Sequence, residues 1–102
     1  MPLTIIVTRD VADRTRGFLA SVMVEIAVGV YVSPRMTTAV RDRVRRVLTE
    51  WHDAEPSGGV VIAWRESDRS GGLGLHHIGE VPRELVDLDG LLVVRRRTSP
   101  RH

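Results

Sequence analysis

The stretch LTIIVTRDVADRTRGFL, residues 3–19, decides the fold, because an apolar run ends there abruptly in a cluster of charged residues. Residues 3–8 are rich in β-branched side chains and predict a strand that ends at this cluster. Asp10 is placed to cap the helix that follows, and an acid at Asp13 is favourable in a first helical turn. Apolar residues then recur at helical spacing, which predicts a helix over about 11–24.

The remaining segments extend this strand and helix into a longer alternation. VEIAVGVYV, residues 24–32, predicts two short strands around a tight connection. Ser33 and Pro34 then predict the start of a second helix, since serine caps free backbone amides and proline suits the first helical position. Residues 60–64 and 73–78 predict a hairpin around the polar loop ESDRSGG. This order predicts an α+β fold of the split βαββαβ, or ferredoxin-like, kind, with both helices on one face of an antiparallel sheet.

Both faces of the predicted sheet carry apolar residues. In LTIIV, residues 3–7, and GVVIAW, residues 59–64, apolar side chains point to both sides of the strand. Two helices cover only one side, so we expect the other to be covered by a second copy of the chain, in a two-fold homodimer packed sheet to sheet. An apolar face left in contact with water is the alternative.

The composition narrows the class of protein. A chain of 102 residues fits one small domain, and the absence of cysteine excludes a disulfide framework and a thiolate metal site. The N-terminal apolar run LTIIV is far short of the roughly 20 residues needed to span a bilayer. We therefore expect a soluble, cytoplasmic protein with no membrane partner.

The distribution of charge points to an anionic partner. All 15 basic residues are arginine and the net charge is only +2, but the basic excess lies in residues 1–51. Arginine binds phosphate through a planar fork of donors, while an arginine-only composition is equally expected from a GC-rich genome. With so few aromatic residues, stacking on single-stranded bases is poorly supported, and backbone recognition of a duplex fits better.

Several motifs, taken in order, resemble one family. They are VTRDVADRTRGFLA (7–20), GVYVS (29–33), AW (63–64), GL (74–75) and VDLDGL (86–91). Their order and spacing resemble the small CRISPR-associated endoribonuclease family Cas2, in its type I-E branch, over nearly the whole chain to about Val94. The resemblance implies a ferredoxin-like homodimer between two dimers of the CRISPR-associated integrase. There it holds a short double-stranded DNA before that DNA is inserted as a new spacer.

The resemblance also indicates DNA-binding residues. Arg14 and Arg16 match the basic pair of the branch that contacts the DNA backbone. Arg41 and Arg45, on the second predicted helix, are candidates to extend that track, and His77 belongs to a pair after GL that is often basic in relatives. The alternative is that all of these are solvated side chains, with the first two arginines paired to nearby acids.

Asp10 is the candidate catalytic and metal-binding residue. It lies at the end of the first predicted strand, where the wider family holds a carboxylate proposed to bind a divalent metal in its nuclease members. The resemblance thus leaves a metal-dependent endonuclease acting on RNA or DNA, with Mg²⁺, as an alternative function. His76 and His77 are neighbours on one predicted strand, so they point to opposite faces and do not form a metal site together. We expect one of them to be partly buried and the other solvated.

The C-terminal segment is the candidate partner-docking element. The resemblance matches residues 86–94 to a strand that docks onto the integrase, through Val86, Leu88, Leu91, Leu92, Val93 and Val94. A plain final strand of the same domain is the alternative. We place the domain at 1–94 and predict a basic, disordered tail over 95–102.

Three functions follow from the sequence. The first is a DNA-positioning scaffold subunit without catalysis of its own, and the second is the metal-dependent endonuclease. The third is a ferredoxin-like interaction or regulatory module that binds no nucleic acid. Co-purification with an integrase and a salt-dependent duplex titration separate the first from the third.

Overall fold

The chain forms a five-stranded antiparallel sheet, two helices and a separate two-stranded sheet. The computed structural model describes residues 3–66, 70–79, 83–88 and 91–96. In chain order the elements are β1 (Thr4–Arg9), α1 (Asp13–Val22), β2 (Val24–Ala27), β3 (Val30–Ser33), α2 (Thr38–Ala54), β4 (Gly59–Arg65), a short 3₁₀ turn (Ser70–Gly72), β5 (Leu73–Gly79), β6 (Arg83–Leu88) and β7 (Leu91–Arg96). The large sheet has the strand order β2-β3-β1-β4-β5, and every neighbouring pair is antiparallel. The predicted ferredoxin-like α+β fold is confirmed, with β5 added at one edge.

β1 is the centre of the large sheet because it is hydrogen-bonded along both edges. Its Ile6 lies opposite Tyr31 of β3 and Ile62 of β4. These three buried side chains join Leu19 of α1 and Leu48 of α2 in one hydrophobic core. Both helices therefore pack on the same face of the sheet, as the sequence predicts. Neither helix in the part of the chain that the structure describes has the length and apolar character needed to cross a membrane.

The face of the large sheet that points away from the helices is also apolar. Alternation along the strands places Ile5 and Val7 of β1, and Val61 and Ala63 of β4, on this face. Val7 is 43% exposed, and Leu3, just before the strand, is 44% exposed. The expectation that both sheet faces carry apolar residues is confirmed, and the second copy that would cover this one stays a prediction.

The turn between β1 and α1 differs from the prediction. α1 begins at Asp13, with Ala12 at the N-cap position and no side-chain cap, so the predicted cap by Asp10 is wrong. The backbone of Asp10 has a positive φ of 56°, which turns the chain before the helix starts and keeps the carboxylate from the first free amides. The carbonyl of Asp10 accepts a hydrogen bond from Ser57 Oγ at 2.9 Å. Asp13 does lie in the first turn of α1, as predicted.

α2 begins later than the sequence predicts. It is capped by Thr37, whose Oγ1 accepts a hydrogen bond from the backbone N–H of Val40 at 3.2 Å. Ser33, the predicted cap, is instead the last residue of β3, where it pairs with Thr4 of β1. Pro34 suits a turn as well as a helix start, so the strand pairing decides between the two.

The C-terminal segment forms two strands rather than the single strand expected. β6 and β7 pair with each other from Arg83 opposite Arg96 to Leu88 opposite Leu91, as a sheet separate from the large one. In the sequence the two residues between these strands are Asp and Gly, a preferred pair for a two-residue hairpin connection. β7 runs to Arg96, and the rest of the predicted disordered tail lies outside the described residues.

The turn between β1 and α1 depends on Gly58, which gives a test of its geometry. The φ of Gly58 is +64°, and a Cβ there would overlap the carbonyl oxygens of Arg9 and Asp10. We expect Gly58→Ala to lower the free energy of unfolding by about 2 kcal/mol or more, measured by urea denaturation. Gly17→Ala, in α1 with open space around it, is the control and should stabilise the protein by up to about 1 kcal/mol. Equal stability of the two variants would contradict this account.

Candidate nucleic-acid interface

Arg14, in the first turn of α1, is held against an aromatic ring. Its guanidinium carbon lies 4.5 Å from the centroid of the Trp51 ring in α2. Trp51 in turn makes an edge-to-face contact with Phe18, with ring centroids 5.4 Å apart and an interplanar angle of 67°. A cation–π contact of this kind fixes the guanidinium while its N–H edges stay free. Arg14 is therefore a positioned cation beside a helix N-terminus, where the backbone already favours an anion.

Arg16 is also exposed but lies toward a different part of the surface. It lines an open pocket of about 320 Å³ together with Asp10 and with Val28 and Gly29 of the β2–β3 turn. Positions two apart on a helix do not face each other, so the two arginines of α1 diverge. Neither forms an ion pair with a carboxylate among the described residues, whereas Arg9 and Asp10 approach each other to 3.9 Å.

Arg41, near the start of α2, repeats the arrangement with the second tryptophan. Its guanidinium carbon lies 4.2 Å from the centroid of the Trp64 ring in β4. This ring lies against Gly74, its partner residue in β5, so closely that a Cβ on the glycine would overlap it. The indole Nε1–H donates a hydrogen bond to Glu66 Oε1 at 2.7 Å. The ring is thus fixed by strand packing and by a hydrogen bond, and it positions Arg41.

Arg45 and His76 complete a groove between α2 and β5. Arg45 lies four residues after Arg41, on the same side of the helix. His76 is partly buried, and this burial lowers the pKa of its imidazole below the usual value, as do the positive charges of Arg45 and then of the neighbouring His77. The groove has a volume of about 270 Å³ and is lined by Arg41, Asp42, Arg45, Ile62, Trp64, Leu75 and His76.

His77, the histidine predicted to bind DNA, lies on the opposite face of the sheet from this groove. It is exposed and pairs with Val61 of β4, while His76 pairs with the buried Ile62. The expectation of one partly buried and one solvated histidine is confirmed.

The structure groups His76, rather than His77, with the arginines of α2. Sequence reasoning missed His76 as a site residue, although the apolar Ile78 two positions on indicates that it shares the core face of β5.

Asp10 carries an exposed carboxylate at the end of β1. Its side chain is 83% exposed, and its nearest described charge partner is Arg9. Within residues 3–66, 70–79, 83–88 and 91–96, no three His, Asp or Glu side chains are grouped closely enough to hold a metal ion. Mg²⁺ takes several oxygen ligands, so a metal at Asp10 needs ligands beyond those that the described part of this chain brings there.

The six predicted docking residues all belong to the β6–β7 hairpin. Val86 lies opposite Val93, and Leu88 lies opposite Leu91. The predicted docking residues thus belong to an element that is separate from the large sheet.

Comparison with known families supports the resemblance found in the sequence. The family model described as CRISPR-associated protein (Cas_Cas2CT1978) matches residues 3–93. That span runs from just before β1 into β7, and it contains the whole large sheet, both helices and the groove between α2 and β5. The chain therefore belongs to this Cas2-like family of CRISPR-associated proteins.

Proposed function

We propose that this chain is a dimeric scaffold subunit of the CRISPR spacer-integration complex, of the type I-E kind, which positions duplex DNA beside the integrase. In this role it acts without catalysis of its own. The observation that carries the proposal is that two arginines, Arg14 and Arg41, are each held against a tryptophan ring at a separate place along α2. Membership of a CRISPR-associated family gives these cations a nucleic-acid context.

The two stacked arginines suit phosphate recognition better than base recognition. A guanidinium held over a ring has lost much of its freedom before binding, and its N–H groups can donate to a phosphate oxygen. Trp51 and Trp64 are partly buried and each has an arginine over its ring, so neither offers an open platform to a base. Phosphate contacts carry no sequence information, which suits a protein that handles DNA of any sequence.

The spacing of the stacked arginines fits separate phosphates of one duplex. Trp51, which holds Arg14, follows Arg41 in α2 by a separation that corresponds to about 15 Å along the helix axis. Since B-DNA rises about 3.4 Å per base pair, this distance spans roughly four base pairs. A duplex that lies along α2 would therefore be long enough to reach both cations.

A homodimer is the second part of the proposal. The apolar sheet face that carries Ile5, Val7 and Val61 is self-complementary in chemistry, and a second copy would remove this surface from water. Packing two sheets through these faces leaves the helices of both copies on the outside. The arginines of both copies then border one basic surface that is longer than a single chain provides.

The β6–β7 hairpin is the proposed integrase-docking element. Its two strands pair with each other and belong to a sheet separate from the large one. A two-stranded sheet of this kind offers edges to which a partner can add a strand. Because β6 and β7, as far as the structure describes them, pair only with each other, the hairpin is suited to a docking role that leaves the domain intact.

Duplex binding by the double variant Arg14→Ala/Arg16→Ala tests the DNA-binding role. We expect weaker binding to the same degree for duplexes of different sequence, and a log–log salt dependence flattened by roughly 0.9 per lost phosphate contact. Fluorescence anisotropy at several salt concentrations measures both. Arg35→Ala removes an exposed arginine outside the proposed track and controls for net charge. Unchanged affinity and slope in the double variant would rule out the assignment.

Val7→Glu tests the dimer face. Val7 lies on the central strand and is 43% exposed, and a carboxylate there would face an apolar partner surface without a counter-charge. We expect this variant to be monomeric at micromolar concentration by analytical ultracentrifugation, where the wild type is dimeric. Val28→Glu, at a position 89% exposed in the β2–β3 turn, is the control and should stay dimeric. A dimeric Val7→Glu or a monomeric wild type is incompatible with the proposal.

Deletion of residues 83–102 tests the docking role of the hairpin. We expect the shortened protein to keep its circular dichroism spectrum for the large sheet and helices and to stay dimeric, because the described residues of the hairpin form a sheet separate from the large one. Co-purification with the integrase should be lost. Loss of the dimer would instead assign the hairpin to the domain itself, and retained integrase binding would exclude docking through it.

A further inference from the structure

We propose that the groove between α2 and β5 is a phosphate-binding site whose affinity is set by protonation of His76, so that the chain holds a nucleic-acid backbone more tightly as the pH falls below neutral. This inference rests on the proposed DNA-binding role and adds to it a site, a ligand group and a form of regulation. The ligand group is a phosphate that carries at least one negative charge.

One wall of the groove is a rigid cation. Arg41 stands 4.2 Å from the centroid of Trp64, and that ring is fixed by its contact with Gly74 and by its hydrogen bond to Glu66. Because the guanidinium is held in place before a ligand arrives, little side-chain entropy is lost on binding. The groove is open and has a volume of about 270 Å³, which leaves room for a phosphate group.

The other wall pairs Arg45 with a histidine that is close enough to respond to its charge. His76 is partly buried beside Arg45, and it points toward the helices because its strand partner is the buried Ile62. Burial and then the charge of Arg45 lower the pKa of His76, so the imidazole is neutral near pH 7 while the arginines stay charged. A phosphate bound between them offsets the repulsion and favours the protonated form.

The charges that face His76 determine how much one proton matters. From α2 these are Arg41, Asp42 and Arg45, while the neighbouring His77 acts on His76 from the other face of the same strand. β4 contributes Ile62 and Trp64, which are uncharged, to the lining, and Glu66 is engaged by the indole of that tryptophan. Among the described lining residues, two arginines against one aspartate give a net +1, and protonation of His76 doubles it to +2. One proton is therefore a large change for an anionic ligand.

The sign of the pH dependence follows from linkage. A ligand that binds the protonated form of His76 more tightly raises the pKa of His76 in the complex above its pKa in the free protein. Affinity is then constant above the bound-state pKa and rises as the pH falls through it. The affinity stops rising once the pH is below the pKa of His76 in the free protein, which lies under the usual histidine value. Each unit of pKa difference between the two states corresponds to about tenfold in affinity.

The first experiment follows the imidazole of His76 by NMR, with inorganic pyrophosphate as the probe. In the full-length protein we expect saturating pyrophosphate to raise the His76 pKa. Arg45→Gln should raise the His76 pKa in the free protein, since a cation is removed, and should also weaken pyrophosphate binding. If Arg45 had only a structural role, its replacement would not be expected to raise the His76 pKa and weaken pyrophosphate binding together. A His76 pKa that pyrophosphate leaves unchanged overturns the inference.

The second experiment measures affinity for a short duplex of mixed sequence at about pH 5.5 and about pH 8, at constant ionic strength. We expect the wild type to bind several-fold to tenfold tighter at the lower pH, and His76→Gln to lose most of that gain. His52→Gln, which removes a histidine outside the groove, is the matched control and should keep it. A gain that survives His76→Gln, or that is lost in His77→Gln instead, overturns the inference.

The two experiments separate this inference from the proposed function. If the wild type binds no duplex while pyrophosphate still raises the His76 pKa, the DNA-positioning role fails and the phosphate site stands. If the duplex binds with a strong salt dependence but pyrophosphate leaves His76 unaffected, the DNA-positioning role stands and the groove site fails.

Discussion

The pairing of β1 along both edges is the constraint on which the rest of the structure depends. With β3 on one side and β4 on the other, Ile6 is enclosed between Tyr31 and Ile62, and both helices cover this face to bury the three side chains. The arginines of the candidate interface lie outside this core, at the start of α1 and on the β5 side of α2. The packing of β1 thus determines the positions of the arginines in the candidate interface.

Two tryptophans connect this packing to the charged surface. Trp51 packs on Phe18, and Trp64 packs on Gly74 of the neighbouring strand, while each ring also has an arginine over it. The guanidinium groups are therefore positioned by the core rather than by ion pairs, which at an exposed surface contribute little and are screened by salt. The positive charge of each stacked arginine also stays available, because no carboxylate within the described residues pairs with it.

Local sequence pattern was sufficient to predict the fold, because the decisive strands and helices are continuous segments with clear periodicity. It failed where one residue pair suits two structures. The Ser-Pro pair at 33–34 fits a helix start and a strand end equally, and only the pairing with Thr4, far away in the sequence, selects the second. The contact of Arg14 with Trp51 also joins distant segments, so no spacing reveals it. Alternation gives the face on which His76 lies, but not the arginine that packs beside it.

The failed prediction at Asp10 concerns the backbone and the hydrogen bonding at the start of α1. A left-handed backbone at a non-glycine residue costs about 1–2 kcal/mol, and here the hydrogen bond from Ser57 and the close approach of Gly58 hold it in place. A carboxylate at the cap position would have satisfied the first amides of α1 and neutralised the positive end of its dipole. Because Asp10 is turned away, those amides have no side-chain acceptor, and Arg14 stands beside them. The strain at the end of β1 thus leaves the first amides of α1 without a side-chain cap, and Asp13 is the acid that lies in this first turn.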